Sequence, residues 1–457
     1  MDNKQLFILL MIARIPYFLI YYPGLMIYDT GDSIQQFYGY ASESLVVTAN
    51  PTATLSNHHL IVFTYLFGGF IKLGEILGSQ NFGLFLFTFL QTILSNVIII
   101  KCLNILKNKC NTKAYIGCLL YYALFPIYSL WQMTMGKDPM FSIFVMWMCL
   151  LLYELADSNA EILKNKRYVR DLIICSICFA FTKQQASYIA IIIAVVLLVV
   201  YRKRIIKAAT IIVLPGLFYL FIFTGIILPA CNVALSGRQE MMGFMFQQTA
   251  VAVIDHGDEI TKEEKEAITN VLPYYDKMEE NYSPYTQDTL KFTYNQQSTT
   301  EENIEYVVTW FKMFFKYPLS YIKATALNFE NFVLEVDDEG FMPKFPEKNA
   351  LLSRAHPETF DLYCVNPIHG VCRTLMVAFG RLPFISSLCN APFYVWSTAI
   401  IGLYSIIKKK KEVIISMLPM LITLLVLVVT PVESFRYVLP LVYPLPFIVC
   451  LAFFKKA

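Results

Sequence analysis

Long apolar runs separated by short basic clusters make up most of this chain, and that alternation restricts its fold more than any motif does. Runs close to the length of a bilayer crossing lie at 5–22, 82–106, 114–132, 139–156, 185–201, 208–229, 388–407, 412–430 and 436–454. A helix needs about 20 apolar residues to span the hydrocarbon core. Two further stretches, 58–78 and 171–183, are ambiguous by length. Of the 457 residues, 56% are AVILMFWYC and only 16% are charged, against roughly a quarter charged in soluble domains. A cytosolic enzyme is thereby excluded in favour of an all-α polytopic membrane protein. The first run carries Arg14 and Pro16 in its middle and precedes no small-residue cleavage site, so it is read as a span rather than a signal peptide. Nucleic acid is excluded as a partner, because the basic residues fall between apolar segments instead of clustering on one surface.

The basic runs orient the spans. Lys107/Lys109/Lys113, Lys164/Lys166/Arg167/Arg170, Arg202/Lys203/Arg204/Lys207, Lys408 to Lys411 and Lys455/Lys456 mark cytoplasmic ends. No Lys or Arg occurs between Arg14 and Lys72, whereas Asp29, Asp32 and Glu43 do, which puts the segment after the first span outside. Parity then requires an odd number of crossings between that segment and Lys107. The run at 82–106 supplies one, so 58–78 lies at the interface. By the same logic 171–183 is a short outward limb whose apex, Thr182 to Gln185, faces outside. The expectation is about ten transmembrane helices with both termini cytoplasmic. An N-terminal module (1–230) would contain the first external loop (23–78, with an interfacial region at 30–78). A large, mainly helical external domain (231–387) and C-terminal spans (388–457) would follow. Within the external domain, Ile260 to Val271 and Asn303 to Phe315 read as amphipathic helices.

Eleven cysteines are scattered singly. Cys175 and Cys178 form a CxxC inside an apolar stretch without a second ligand pair, which suits small hydrophobes better than a metal site. Cys364 and Cys372 lie in the external segment, which leaves a disulfide open.

On this topology the outer ends of the spans collect a distinctive set of polar residues: Asp29 and Asp32, His58 and His59, Lys137 and Asp138, Lys183 with Gln184 and Gln185, and Glu433 with Arg436. Each has an ordinary reading. Lone aspartates cap helices, Lys137 and Asp138 can pair locally at a helix N-terminus, and Glu433 and Arg436 stand i, i+3 apart. Their convergence on one face carries more weight, since ionisable groups at membrane depth are costly and usually functional. A carboxylate there can act as general base on an incoming hydroxyl, and basic groups beside it can hold a lipid-linked phosphate. That chemistry is sugar transfer from a polyprenyl-phosphate carrier.

The order Tyr22-Pro23-Gly24, Asp29, Gln35 and Asn57-His58-His59 resembles the start of bacterial membrane proteins with the GT-C glycosyltransferase fold, and is most similar to a DUF6020-like group among them. Met133 to Phe141, Phe246 to Ala250, Tyr317 to Tyr321 and Glu433 to Tyr437 resemble that group's later segments in the same order, so the similarity covers nearly the whole chain. It departs from the pattern at Leu60, where a Pro is expected, and at Lys183 to Ala186, where an Arg-Asn-Asn-Gly-like motif would stand. The resemblance implies a catalytic Asp in the first external loop, best matched by Asp29, and a second acidic motif matched by Asp138.

The combined expectation is an integral membrane glycosyltransferase, inverting, moving a sugar from a polyprenyl-phosphate donor to an envelope glycan, lipid or protein acceptor on the external face of a bacterial cell membrane. Asp29 is the expected base, with Asp32 its nearest substitute and Asp138 an orienting acid. Lys137, Lys183 and Arg436, together with His58, His59 and Glu433, are expected to bind the donor. No cofactor is expected, although paired carboxylates leave a divalent metal open. The alternatives are a polysaccharide polymerase or ligase, and a lipid-linked sugar flippase or transporter without chemistry.

Overall fold

Pro126 breaks the run at 114–132 in two. It lacks an N–H and disfavours helical backbone in the residue before it, so Phe125 is extended and helices Thr112–Leu124 and Pro126–Gln132 meet at 51°. The computed structural model describes residues 1–46, 48, 53–334, 341–343, 356, 358–432 and 434–456, and among these the chain is mostly helical. Among the described residues, five helices are long and apolar enough to cross a membrane: Asn3–Ile20, Gln80–Lys109, Lys137–Asp157, Gln184–Ala230 and Phe435–Phe453. The bent pair makes a sixth when taken as one span, and Ala391–Ile407 and Leu418–Leu427 are shorter apolar helices.

Gln184–Ala230 is not one rod. Arg202 adopts a left-handed φ of 54°, and beyond it the chain doubles back, so that Gly216 comes against Ser187. A Cβ at Gly216 would sit 3.1 Å from the Ser187 Cα. The limb expected at 171–183 is helix Lys166–Ala180, which packs beside this hairpin and ends just before Lys183.

Several helices expose apolar stripes of one helical face, such as Ile8, Ile12, Ile15 and Leu19 on the first helix and Trp396, Ile400, Leu403 and Ile407 on a later one. Such faces suit lipid rather than water, and on this ground the chain is a membrane protein. Lys137–Asp157 and Phe435–Phe453 are instead mostly buried and form the centre of the helix assembly. The basic runs gather at one end of it. Lys109 pairs with Asp157 at 2.7 Å, Lys455 with Glu412 at 2.8 Å, and Lys456 N–H donates to the Lys109 carbonyl.

The polar insertion has its own core of Met242, Phe246, Ile268, Tyr306, Met313 and Tyr321. Both expected amphipathic helices are present, as Lys262–Val271 and Thr300–Lys316, each opened by a capping box, Thr261/Glu264 and Thr299/Glu302. Side-chain amides tie this core to the apolar helices: Asn328 and Gln287 donate to the Thr430 carbonyl beyond Leu418–Leu427. Such bonds satisfy carbonyls that a helix end leaves unpaired.

Every cysteine is free, which corrects the disulfide left open between Cys364 and Cys372. Cys372 lies on helix His369–Gly380, whereas the Cys364 thiol lies 3.8 Å from the Ile20 carbonyl. Cys175 is buried with its thiol 3.7 Å from the Phe144 carbonyl, as a small core residue would be.

Candidate functional site

Two very short parallel strand pairs bring the polar segments together. In the first, Leu25–Met26 (β1) pairs with Thr134–Met135 (β3), with Leu25 opposite Thr134. Gly24 enters β1 at φ 135°, where a Cβ would lie 3.0 Å from the Thr88 side chain, so glycine is the residue this approach admits. The Thr30 hydroxyl donates to the Met135 carbonyl at 2.7 Å. The start of helix Tyr28–Phe37, with Asp29, is thereby fixed against the start of Lys137–Asp157. In the second pair, Leu55–Ser56 (β2) lies beside Val233–Ala234 (β4). The Asn57 side chain then accepts from the Ile61 N–H and opens helix Ile61–Ile76, leaving His58 and His59 beside Asp29.

Five charged side chains join into one chain of ion pairs. Lys137 Nζ lies 3.0 Å from Asp29 Oδ2, and Arg436 Nη1 lies 2.9 Å from Asp29 Oδ1. The Arg436 guanidinium reaches on to Asp138, 3.9 Å from Nε to Oδ2, and Asp138 pairs with Lys183. The order is Lys137–Asp29–Arg436–Asp138–Lys183, three cations and two carboxylates. Asp138 is completely buried and Lys183 nearly so. The Lys183 ammonium also lies over the Tyr437 ring, 4.8 Å from its centre.

The local pairing open to Lys137 is therefore not the one used. Lys137 turns from its neighbour Asp138 to Asp29, because successive helical side chains do not face each other. Arg436 engages Asp29 and Asp138, while Glu433 lies outside the described residues.

Burial, which would raise the Asp29 carboxyl, is outweighed by Lys137 and Arg436, and the group is held well below the usual carboxylate range. Burial and the nearby Lys137 push His59 well below its ordinary value, so its ring is neutral. Lys137 can only donate, so His59 Nδ1 accepts from it at 3.1 Å and the ring proton sits on Nε2. That nitrogen lies 3.7 Å from Asp32 Oδ2, and Ser44 donates to the same Asp32 oxygen. Burial also lowers His58.

Asp29, His58, His59, Lys137, Lys183 and Arg436 all line a cavity of about 540 Å³. Asp32 and Asp138 stand behind its wall, through His59 and through Lys183 and Arg436 respectively. Glu240, Asp288 and Lys291 line it too and escaped the sequence reading. Lys291 pairs with Glu240 at 2.9 Å and Asp288 at 2.6 Å, and these carboxylates outweigh burial in raising its ammonium. The available signal was Phe246-Gln247-Gln248: Gln247 donates to the Ser283 and Thr286 carbonyls and so holds the segment before Lys291 against the helix carrying Glu240. As for a metal, no group of three or more His, Cys, Asp or Glu among the described residues is arranged to hold one. The Lys137 ammonium occupies the point between Asp29 and His59 where a cation would be held.

A family model matches residues 28–457, a stretch that starts just before Asp29 and includes every pocket residue named above. The chain belongs to DUF6020, a family of unknown function. No curated protein and no solved structure matches the chain. The pocket of this DUF6020 protein presents cations able to take an anion, held beside an ionised carboxylate at the common end of several apolar helices.

Proposed function

We propose that this protein is an integral membrane glycosyltransferase of GT-C type that moves a sugar from a polyprenyl-phosphate donor to an envelope glycan, lipid or protein acceptor at the external face. The observation that carries this reading is the Lys137–Asp29–Arg436–Asp138–Lys183 chain on the pocket wall. Lys137, Lys183 and Arg436 each stand at or just before the start of an apolar helix, and Asp29 follows the end of the first. A polyprenyl phosphate keeps its tail in hydrocarbon and its phosphate at that level.

In the proposed step Asp29 takes the proton of an acceptor hydroxyl, whose oxygen attacks the anomeric carbon of the sugar. The bond from that carbon to the phosphate oxygen breaks, and the phosphate leaves with the electron pair. Lys137, Arg436 and Lys183 stabilise the charge that develops there. Direct displacement inverts the anomeric centre. Asp32 is the nearest substitute base, Asp138 orients Arg436 and Lys183, and His58 and His59 contact donor or acceptor.

The topology that goes with this reading has about ten crossings, both termini cytoplasmic and residues 231–387 outside. It takes the bent pair as one crossing and the Arg202 hairpin as two, and adds Lys166–Ala180 and the two shorter apolar helices. The basic runs meeting at the end away from the pocket support that orientation.

Mass spectrometry of envelope glycans tests the proposal in cells lacking the protein and in cells carrying wild type or Asp29→Asn. A sugar lost without the protein, restored by wild type and not by Asp29→Asn, is the expected result. Identical glycans in all strains would refute it. A flippase would instead move the donor headgroup and tolerate Asp29→Asn.

A further inference from the structure

Asp29 is placed awkwardly for a base and aptly for something else. Each of its oxygens already faces a cation, Oδ1 toward Arg436 and Oδ2 toward Lys137. Both cations line the pocket, and among the described residues neither has another carboxylate within 3.5 Å: Lys137 otherwise meets the His59 ring, and Arg436 reaches Asp138 at 3.9 Å. A phosphate oxygen entering the cavity would seek the same donors, since ammonium and guanidinium groups bind phosphate and carboxylate by the same charge-assisted hydrogen bonds.

We propose that Asp29 is a built-in counter-ion occupying the anion site of this pocket, and that a phosphate monoester or diester displaces it from Lys137 and Arg436 on binding. Lys183 remains held by the fully buried Asp138 and adds a third positive group that the exchange does not disturb. Displacement removes the two contacts that keep the Asp29 carboxylate unreactive, so that it gains basicity only when a phosphate is in place. An empty pocket would then leave water unactivated. This last consequence rests on the transferase reading, whereas the displacement itself does not.

The test is binding, measured by calorimetry on the full chain in lipid nanodiscs, with inorganic phosphate and a short-chain prenyl monophosphate as separate probes. Asp29→Asn removes the competing charge at nearly constant shape and is expected to tighten binding about tenfold, the size of one charge-assisted hydrogen bond. Lys137→Met is expected to weaken it by about tenfold or more for the same reason. Tightening with both probes alike identifies free phosphate as ligand, and tightening confined to the prenyl probe identifies a lipid headgroup; either supports displacement. Equal or weaker binding by Asp29→Asn, or no binding of either probe, overturns it.

Should Asp29→Asn fail to fold, zero-length carbodiimide crosslinking of wild type gives a second reading. The Asp29–Lys137 amide, detected by peptide mass spectrometry, is expected to fall several-fold when the prenyl phosphate saturates the site. The exposed Lys265–Asp276 pair, 2.8 Å apart, is the reference that stays constant. An unchanged Asp29–Lys137 yield with ligand bound contradicts displacement. Tighter binding by Asp29→Asn, with no sugar transferred by the wild-type protein, would leave this inference standing and remove the transferase reading.

Discussion

Arg436 Nη1 lies 2.9 Å from Asp29 Oδ1, so the segment after the first apolar helix and the segment that begins the last one meet in a single ion pair. Neither residue is fully buried, yet both sit where solvent is largely displaced by Trp131, Tyr437 and the pocket walls. Removing one partner of such a pair leaves the other charge poorly compensated.

Arg436→Met is therefore expected to abolish the proposed transfer and to lower the thermal midpoint, because Asp29 and Asp138 each lose a counter-charge. Arg436→Lys keeps the charge but cannot span both carboxylates with a planar fork. It is expected to fold nearly as well as wild type while transfer falls by about a hundredfold, the scale set by losing a transition-state charge contact. Full activity in Arg436→Lys would contradict the bridging role.

Lys183→Met strands Asp138 inside the protein. Breaking a buried pair costs about 3–5 kcal/mol, whereas replacing both members with apolar groups is often close to neutral. Thermal unfolding should show a large loss for Lys183→Met and substantial recovery in the double variant Lys183→Met/Asp138→Leu, with no return of activity. Recovery of activity as well would show that the pair is structural only.

The pH dependence of stability follows from Asp29. Its folded-state carboxyl is held well below its ordinary 3.8, so the stability it contributes is fully present above that ordinary value and is lost as pH falls through the lowered one. The stability difference between wild type and Asp29→Asn should be flat from about pH 5 to 8 and shrink only in stronger acid. A difference that changes near neutrality would mean that Asp29 is not clamped as described.

Gly83 tests the packing that carries the site. Its Cβ would lie 2.1 Å from the Phe70 carbonyl oxygen, and Gly74 across from it is as tightly placed against Gly83 N. Gly83→Ala must push helix Ile61–Ile76, which His58 and His59 immediately precede, away from Gln80–Lys109. Reduced yield and a lower thermal midpoint are expected. A wild-type midpoint would show that the two helices are free to separate.

The convergence of Asp29, Lys137, Asp138, Lys183 and Arg436 was legible in the sequence because each stands beside the end of an apolar run, and the basic clusters say which end. Their partners were not. Neighbours such as Lys137 and Asp138 suggest a local pair, but their divergence on the helix and the β1–β3 register send Lys137 to Asp29. The Glu240–Lys291–Asp288 group was hidden because, within a long polar insertion, nothing distinguishes a pocket lysine from a surface one until Gln247 and Gln287 are seen fixing the chain around it. The break at Pro126 inside the run at 114–132 was not legible from hydropathy, whereas the turn at Arg202 was, because a basic cluster separates the runs at 185–201 and 208–229 there.

Impermeant labelling tests the proposed orientation. In a Cys231→Ser background, which removes the exposed native thiol, Glu280→Cys is expected to react in intact cells and Thr112→Cys only after lysis. The reverse pattern would invert the topology and separate the pocket from the external face.

The most direct measurement is release of polyprenyl phosphate, followed by mass spectrometry, when wild-type protein in nanodiscs is given polyprenyl-phosphate sugars and envelope acceptor extract. The account predicts release that requires the acceptor, is abolished in Asp29→Asn and is matched by sugar gained on the acceptor. Equal release by wild type and Asp29→Asn, or none by either, would contradict it.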